Sequence, residues 1–206
     1  MTVTHSLWII GAGGHGRVVA DIAEALGHTD IRFLDERWPA LQRNLAWPVA
    51  GSGIADLPPK SQVFVALGDC RKRLLILKQL HEAGFDAVRL VHPTAHVSRH
   101  AQLGAGSVVM PMAAVNAGAG LGTGVIVNTG ATVDHDCHIG DGVHISPGAH
   151  LAGGVSVGNE SWIGIGAVVR EGIRIGANVM VGAGAAVVSH VPDGACVLGV
   201  PANERT

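Results

Sequence analysis

The 206-residue chain has no tyrosine, and phenylalanine and tryptophan together bring its aromatic share to only 3%. A core built on large rings is therefore excluded, and Val, Ile, Ala and smaller residues must fill it. Charge is scarce as well, at 15% of residues against roughly 25% in an ordinary globular chain. Much of the surface must then be covered by a partner subunit or by backbone. The net charge of −2 comes without any basic block, which excludes the electrostatic footprint of a nucleic-acid binder. Three cysteines, Cys70, Cys137 and Cys196, lie far apart without CxxC spacing. They form no disulfide framework and fit a reducing compartment. The apolar start, Leu7 to Ile10, runs straight into glycines. That run is too short for a secretory h-region or a membrane span, so a cytoplasmic chain is expected.

What is abundant is a repeat. Steps of six from Val97 to Val187 meet Val, Leu or Ile at all 16 positions, without an insertion. The residue four places beyond each is small or branched, as in Ala131, Cys137, Val143 and Ala149. A period of six suits neither a helix nor an alternating strand. It suits a short strand followed by a tight corner, with three hexads closing a coil of 18 residues and stacked coils pairing as parallel strands. Val91 and Ala95 share the register, which puts the boundary near residue 91. Two domains are expected, 1–90 and 91–206.

The first domain reads as α/β. Leu7–Ile10 is a buried strand, Gly11 to Gly16 a tight loop, and 17–26 a helix that stops at Gly27. Ile31–Leu34 is a second strand ending at Asp35, Val63–Leu67 a third opening into Gly68, Arg71–Ala83 a second helix, and Val88–Val91 a last strand. The stretch 38–59, with four prolines, reads as loop. Strand, glycine loop, helix, strand is half of a Rossmann-like fold. Gly11-x-Gly13-x-x-Gly16 opens a helix, and its amides suit a pyrophosphate. Asp35 could accept from ribose hydroxyls or a base N–H. About ninety residues cannot supply the second half-sheet of a dinucleotide site, so a nucleoside diphosphate fits better. A glycine turn that only packs a helix on a sheet is the plainer alternative.

Histidines cluster in the repeat at His135, His138, His144 and His150. With hexad positions one and five inward, all four should project from the prism, where solvation or packing at a trimer interface would explain an ordinary histidine. His135 differs because Asp134 and Asp136 flank it, and neighbouring carboxylates raise the basicity of an imidazole. A general base needs that. One coil on lies Gly153, where backbone amides could approach a ligand. The spacings among the four histidines do not match a zinc-binding set, and Cys137 is an inward, core-filling position.

The Gly11–Gly16 loop, the run from Asn128 to Val155 and the closing Gly199-Val200-Pro201-Ala202 together resemble the sialic acid O-acetyltransferase family of hexapeptide-repeat sugar acetyltransferases. The resemblance is closest to its nucleotide-amino-sugar N-acetyltransferase branch and spans nearly the whole chain. It implies a half-Rossmann domain followed by a left-handed parallel β-helix. It further implies a homotrimer with active sites between subunits, acetyl-CoA as acyl donor, no metal, and a nucleotide-linked amino sugar as acceptor. By the same resemblance His135 is the general base and Asp136 its acid. Gly13, Gly14, His15, Asp35, Gly68 and Asn128 contact the substrate, and His144, Gly153, Ile165 and Ala183 contact coenzyme A. Two departures stand out: the family has Glu or Asp after the base, so Asp136 fits the pattern but is shorter than Glu, and Asn203 replaces a basic residue after the closing motif. An O-acetyltransferase of the sialic acid type and a non-catalytic nucleotide-sugar-binding scaffold are the competing readings.

Overall fold

The computed structural model describes residues 6–205, which divide into two compact units at Leu90–Val91. In the first unit, β1 (Ser6–Ile10) is buried at all but its first position, the pattern of a parallel strand covered on both faces. β2 (Asp30–Leu34), β3 (Arg43–Asn44), β4 (Trp47–Gly51) and β5 (Gln62–Val65) complete a sheet in the order β3-β4-β2-β1-β5. β4, β2, β1 and β5 are parallel, and β3 pairs antiparallel with β4. Two helices pack on this sheet, α1 (Gly14–Ala25) against β1 and α2 (Cys70–Glu82) against β5. Because β2 and β5 flank β1, the loops that follow these three strands leave the sheet at one edge, where folds of this kind place their ligands.

Three details differ from the sequence reading. The last expected strand, 88–91, is a strand only at Leu90–Val91. α1 begins at Gly14 rather than Arg17, because Gly13 is its extended N-cap and already accepts from the Arg17 amide at 3.1 Å. The proline-rich stretch is not all loop: β3 and β4 form a hairpin whose second strand extends the parallel sheet through Val49 beside Phe33. Pro48 does not break it, since Pro48 faces Arg43 and the pairing to β2 starts one residue later.

The second unit is a three-faced parallel solenoid. One coil runs through Ile126–Val127, Thr132–Val133 and His138–Ile139, and His144–Ile145 returns to the first face 18 residues on. The outward residues stack in columns: Ile126, His144, Trp162 and Met180 on the first face, and Ala114, Thr132, His150, Val168 and Ala186 on the second. Gly120, His138, Ser156 and Arg174 form the column of the third. Positions one and five fill the interior, as Val127, Ala131, Val133, Cys137 and Val143 show. Two inward serines, Ser107 and Ser161, satisfy themselves in the same way. Each hydroxyl donates to a glycine carbonyl, Gly122 or Gly176, and accepts from an amide one coil on, Val125 or Val179. Cys137 donates to the Ala152 carbonyl at 3.2 Å, and burial pushes its thiol pKa up. It is core, not nucleophile.

Candidate functional site

The first candidate site lies at the sheet edge of the first unit. Gly11, at φ 104, packs so closely that a Cβ there would stand 2.9 Å from the Ala66 carbonyl and the Leu67 side chain. The loops after β1 and β5 therefore touch. Gly13 and Gly14 have open space where a side chain would stand, so their backbone is accessible at the start of α1. Asn44, almost fully buried, braces this turn: it donates to the Gly13 carbonyl at 3.2 Å and accepts from Arg17 Nε at 2.5 Å. Beneath Gly68 lies Arg73, wholly buried, whose Nη1 donates to the Leu67 and Gly68 carbonyls at 2.7 and 2.9 Å. His15 is held down to about 4, first by burial and then by the Arg73 charge, so its ring is neutral at pH 7.

Asp35 ends β2 beside the glycine loop, but it is not an idle acceptor. Its carboxylate accepts from the Ala12 amide at 2.8 Å and grips Arg37 through Nε and Nη2 at 2.6 and 2.9 Å. These bonds, Arg37 foremost, hold Asp35 down to about 2.

The second candidate site lies on the solenoid edge between the second and third faces. His135 Nδ1 stands 2.9 Å from Asp136 Oδ2. A carboxylate only accepts, so Nδ1 carries the hydrogen and Nε2 keeps its lone pair for another proton. Asp134 accepts from Asn116 at 2.8 Å and from the His135 amide at 2.7 Å, which fixes the turn. The His135 pKa is raised, chiefly by the Asp136 hydrogen bond and then by the Asp134 charge. Both members of the pair are more than half exposed. Glycines accommodate them from the neighbouring coils. A Cβ on Gly153 would lie 2.6 Å from His135 Cε1, and one on Gly118 would collide with the Asp136 carboxylate. Asp136 itself sits at φ 57, a left-handed corner that Asp tolerates better than Glu.

A third group gathers at the edge between the first and second faces. Asn128 Nδ2 meets His144 Nε2 at 3.1 Å, and the His144 ring lies 4.0 Å from the centroid of Trp162. His144 faces outward as expected, yet it is buried because Trp162 and its neighbours cover it. Asn128, His144, Trp162, Ile165, Met180 and Ala183 line a cavity of about 360 Å³. Gly153 is not part of it. It lies one coil above His135, one prism edge away from His144, Ile165 and Ala183.

Thus Gly13, Gly14, His15, Asp35 and Gly68 share one sheet edge, His135, Asp136 and Gly153 one solenoid edge, and Asn128, His144, Ile165 and Ala183 another. Sequence reasoning missed Arg37, Asn44 and Arg73, which no local pattern marks. It also missed Trp162 and Gly118, although each lies 18 residues from a residue it had singled out. Among the described residues, no helix is long and apolar enough to cross a membrane, and no group of three His, Cys, Asp or Glu could hold a metal.

Comparison with known proteins extends across the chain. Residues 6–80 match the family model of the PglD N-terminal domain, and residues 154–188 that of the bacterial transferase hexapeptide, six repeats. The acetyltransferase domain of PglB from Neisseria gonorrhoeae FA1090, solved with acetyl coenzyme A, is 47% identical, with a TM-score of 0.95 over 98% of this chain and 100% of that one. PerB from Caulobacter crescentus, solved with CoA and GDP-perosamine, is 41% identical, with a TM-score of 0.92 over 98% of this chain and 97% of that one. The UDP-N-acetylbacillosamine N-acetyltransferase of Bacillus subtilis is 37% identical over 105 residues, 48% of this chain and 49% of that enzyme. The match thus spans about half the length of that curated relative.

Proposed function

The chain belongs to the PglD-like family of hexapeptide-repeat sugar acetyltransferases, and from that premise we propose that it transfers the acetyl group of acetyl-CoA to the amine of a nucleotide-linked amino sugar. The observation that carries this reading is the His135–Asp136 pair at 2.9 Å, lying against Gly153. Nε2 takes the proton as the amine nitrogen attacks the thioester carbon. The carbon–sulfur bond then breaks, and the departing thiolate takes a proton back. Asp136 fixes the ring and stabilises its cationic form. The Gly153 amide is our candidate donor to the oxyanion, because a preformed backbone donor needs no reorganisation. The cavity at Asn128, His144, Ile165 and Ala183 would hold the acyl end of coenzyme A, and the Gly13–His15 turn with Gly68 the pyrophosphate of the sugar nucleotide.

Within one copy of the repeat unit, His135 and the Asn128–His144 cavity occupy opposite edges of the second face. That face carries no charged residue in its column from Ala114 to Ala186, and Val168 on it is 44% exposed. A homotrimer packed on this face would bring the His135 edge of one copy to the cavity of the next. Light scattering on the purified chain tests the trimer. Thiol release from acetyl-CoA with uridine- and guanosine-diphosphate amino sugars tests the reaction. Release only with hydroxyl acceptors would favour an O-acetyltransferase, and nucleotide binding without any release would favour the scaffold.

A further inference from the structure

An aspartate offers about four acceptor positions on its two oxygens. In Asp35 all four are in use. Oδ1 accepts from the Arg37 amide at 3.1 Å and from Arg37 Nε at 2.6 Å; Oδ2 accepts from the Ala12 amide at 2.8 Å and from Arg37 Nη2 at 2.9 Å. The Asp35 side chain is only 9% exposed, whereas that of Arg37 is 56% exposed. Arg37 is pinned in turn, since Nη2 also donates to the Ala12 carbonyl at 3.1 Å. Three bonds from the guanidinium thus lock its plane against the glycine loop. Its Nη1 amino group makes no hydrogen bond among the described residues.

We infer that Arg37, not Asp35, reads the nucleoside of the bound sugar nucleotide, with Asp35 as the positioning residue that aims it. This rests on the proposed nucleotide site and deepens it. The pyrophosphate belongs at the amides that open α1, and the nucleoside then lies toward the end of β2, where Arg37 stands. A locked N–H₂ group selects acceptor oxygens. A uracil or guanine carbonyl, or a ribose hydroxyl, can receive it. The amino group of cytosine or adenine at the same edge would meet it donor to donor, which is discrimination by an unpaired polar group. Preorganisation strengthens the effect, because the fork loses little freedom on binding.

Calorimetric affinities of UDP, CDP, GDP, ADP and dUDP for the parent chain and for Arg37→Ala, Arg37→Lys and Asp35→Asn test the assignment. None of these measurements needs acetyl transfer, so a nucleotide-binding chain without acetyltransferase activity would sink the enzymatic reading alone. A parent that bound no diphosphate would sink the nucleotide site and this inference together. Arg37→Ala should weaken the preferred diphosphate about tenfold and collapse a preference that the parent shows. Loss of the UDP-over-CDP or GDP-over-ADP preference assigns the base carbonyl, and loss of UDP over dUDP assigns the ribose. Arg37→Lys should keep part of the affinity but not the preference, since it lacks the fork. Asp35→Asn should blur the preference by freeing the arginine. Unchanged affinity in Arg37→Ala would overturn the inference. So would an equal loss for every nucleotide, which would put the charge on the phosphates. A far larger loss in Asp35→Asn than in Arg37→Ala would show Asp35 itself to be the reader.

Discussion

In the first unit, the candidate site draws on Ala12, Asp35, Arg37, Asn44 and Arg73, gathered by hydrogen bonds between loops as many as 31 residues apart. In the repeat unit, the corresponding groups stand in columns: Asp136 one coil above Gly118, Gly153 one coil above His135, Trp162 one coil above His144. The first arrangement is bonded to near saturation. The second leaves its His135–Asp136 pair exposed at a prism edge. A binding site gains from locked donors and acceptors, because fixed dipoles need no reordering when a ligand arrives. A proton-transferring imidazole must instead keep one nitrogen open to the reacting group.

The sharpest break in this comparison is His135→Ala. It should lower kcat by roughly 10²–10⁴-fold, the range for losing acid–base assistance, with the oligomer and both affinities retained. A trimeric variant turning over near the parent rate would end the catalytic assignment. Gly153→Val comes next. Its side chain must push the imidazole off its seat, and a displacement of about 1 Å costs on the order of 10²-fold. Steady-state kinetics should show this in kcat, with the KM values little moved.

The glycine loop should respond differently. A Cβ on Gly13 meets nothing within 4 Å, so Gly13→Val leaves the protein undisturbed and crowds only a bound pyrophosphate. The KM for the sugar nucleotide should rise roughly tenfold, for a steric cost of about 1–3 kcal/mol, while that for acetyl-CoA stays put. Equal losses for both substrates would place the two ligands together.

Asp136→Asn is milder and is read in pH. Protonated His135 cannot accept a proton, so activity falls as pH drops through its raised pKa. Removing the Asp136 charge lowers that pKa and should move the acidic limb of the pH–rate profile downward. Asn suits φ 57 as Asp does, so the corner survives. Smallest of all, Trp162→Ala removes a ring contact with His144 worth about 0.5–1.5 kcal/mol. A few-fold rise in the acetyl-CoA KM is expected, visible in initial-rate kinetics.

The repeat unit was legible almost residue by residue. Because each coil touches only its neighbours, adding 18 to a position names what lies above it, and Gly153 beside His135 was found this way. Trp162 over His144 follows from the same arithmetic, and the burial of His144 followed from it unseen. The first unit was legible only in outline. Strand, glycine loop and helix announce themselves locally. Yet β4 was hidden behind prolines, and Asn44 reaches Gly13 from a hairpin that no periodicity marks.

Asp35 is the clearest divide between the two kinds of knowledge. Its place at the end of β2 could be read from the apolar run before it, and its charge makes it an apparent ligand acceptor. Only the folded chain brings Ala12 and Arg37 onto its oxygens and fills them. By itself the sequence determined the solenoid, its coil length, the His135–Asp136 pair and the glycine turn that opens α1, because periodicity, adjacency and glycine placement are local properties. The tertiary structure decided which polar groups are consumed by one another and which remain open. Hydrogen-bond capacity is finite, and its allocation depends on neighbours that the chain order does not reveal.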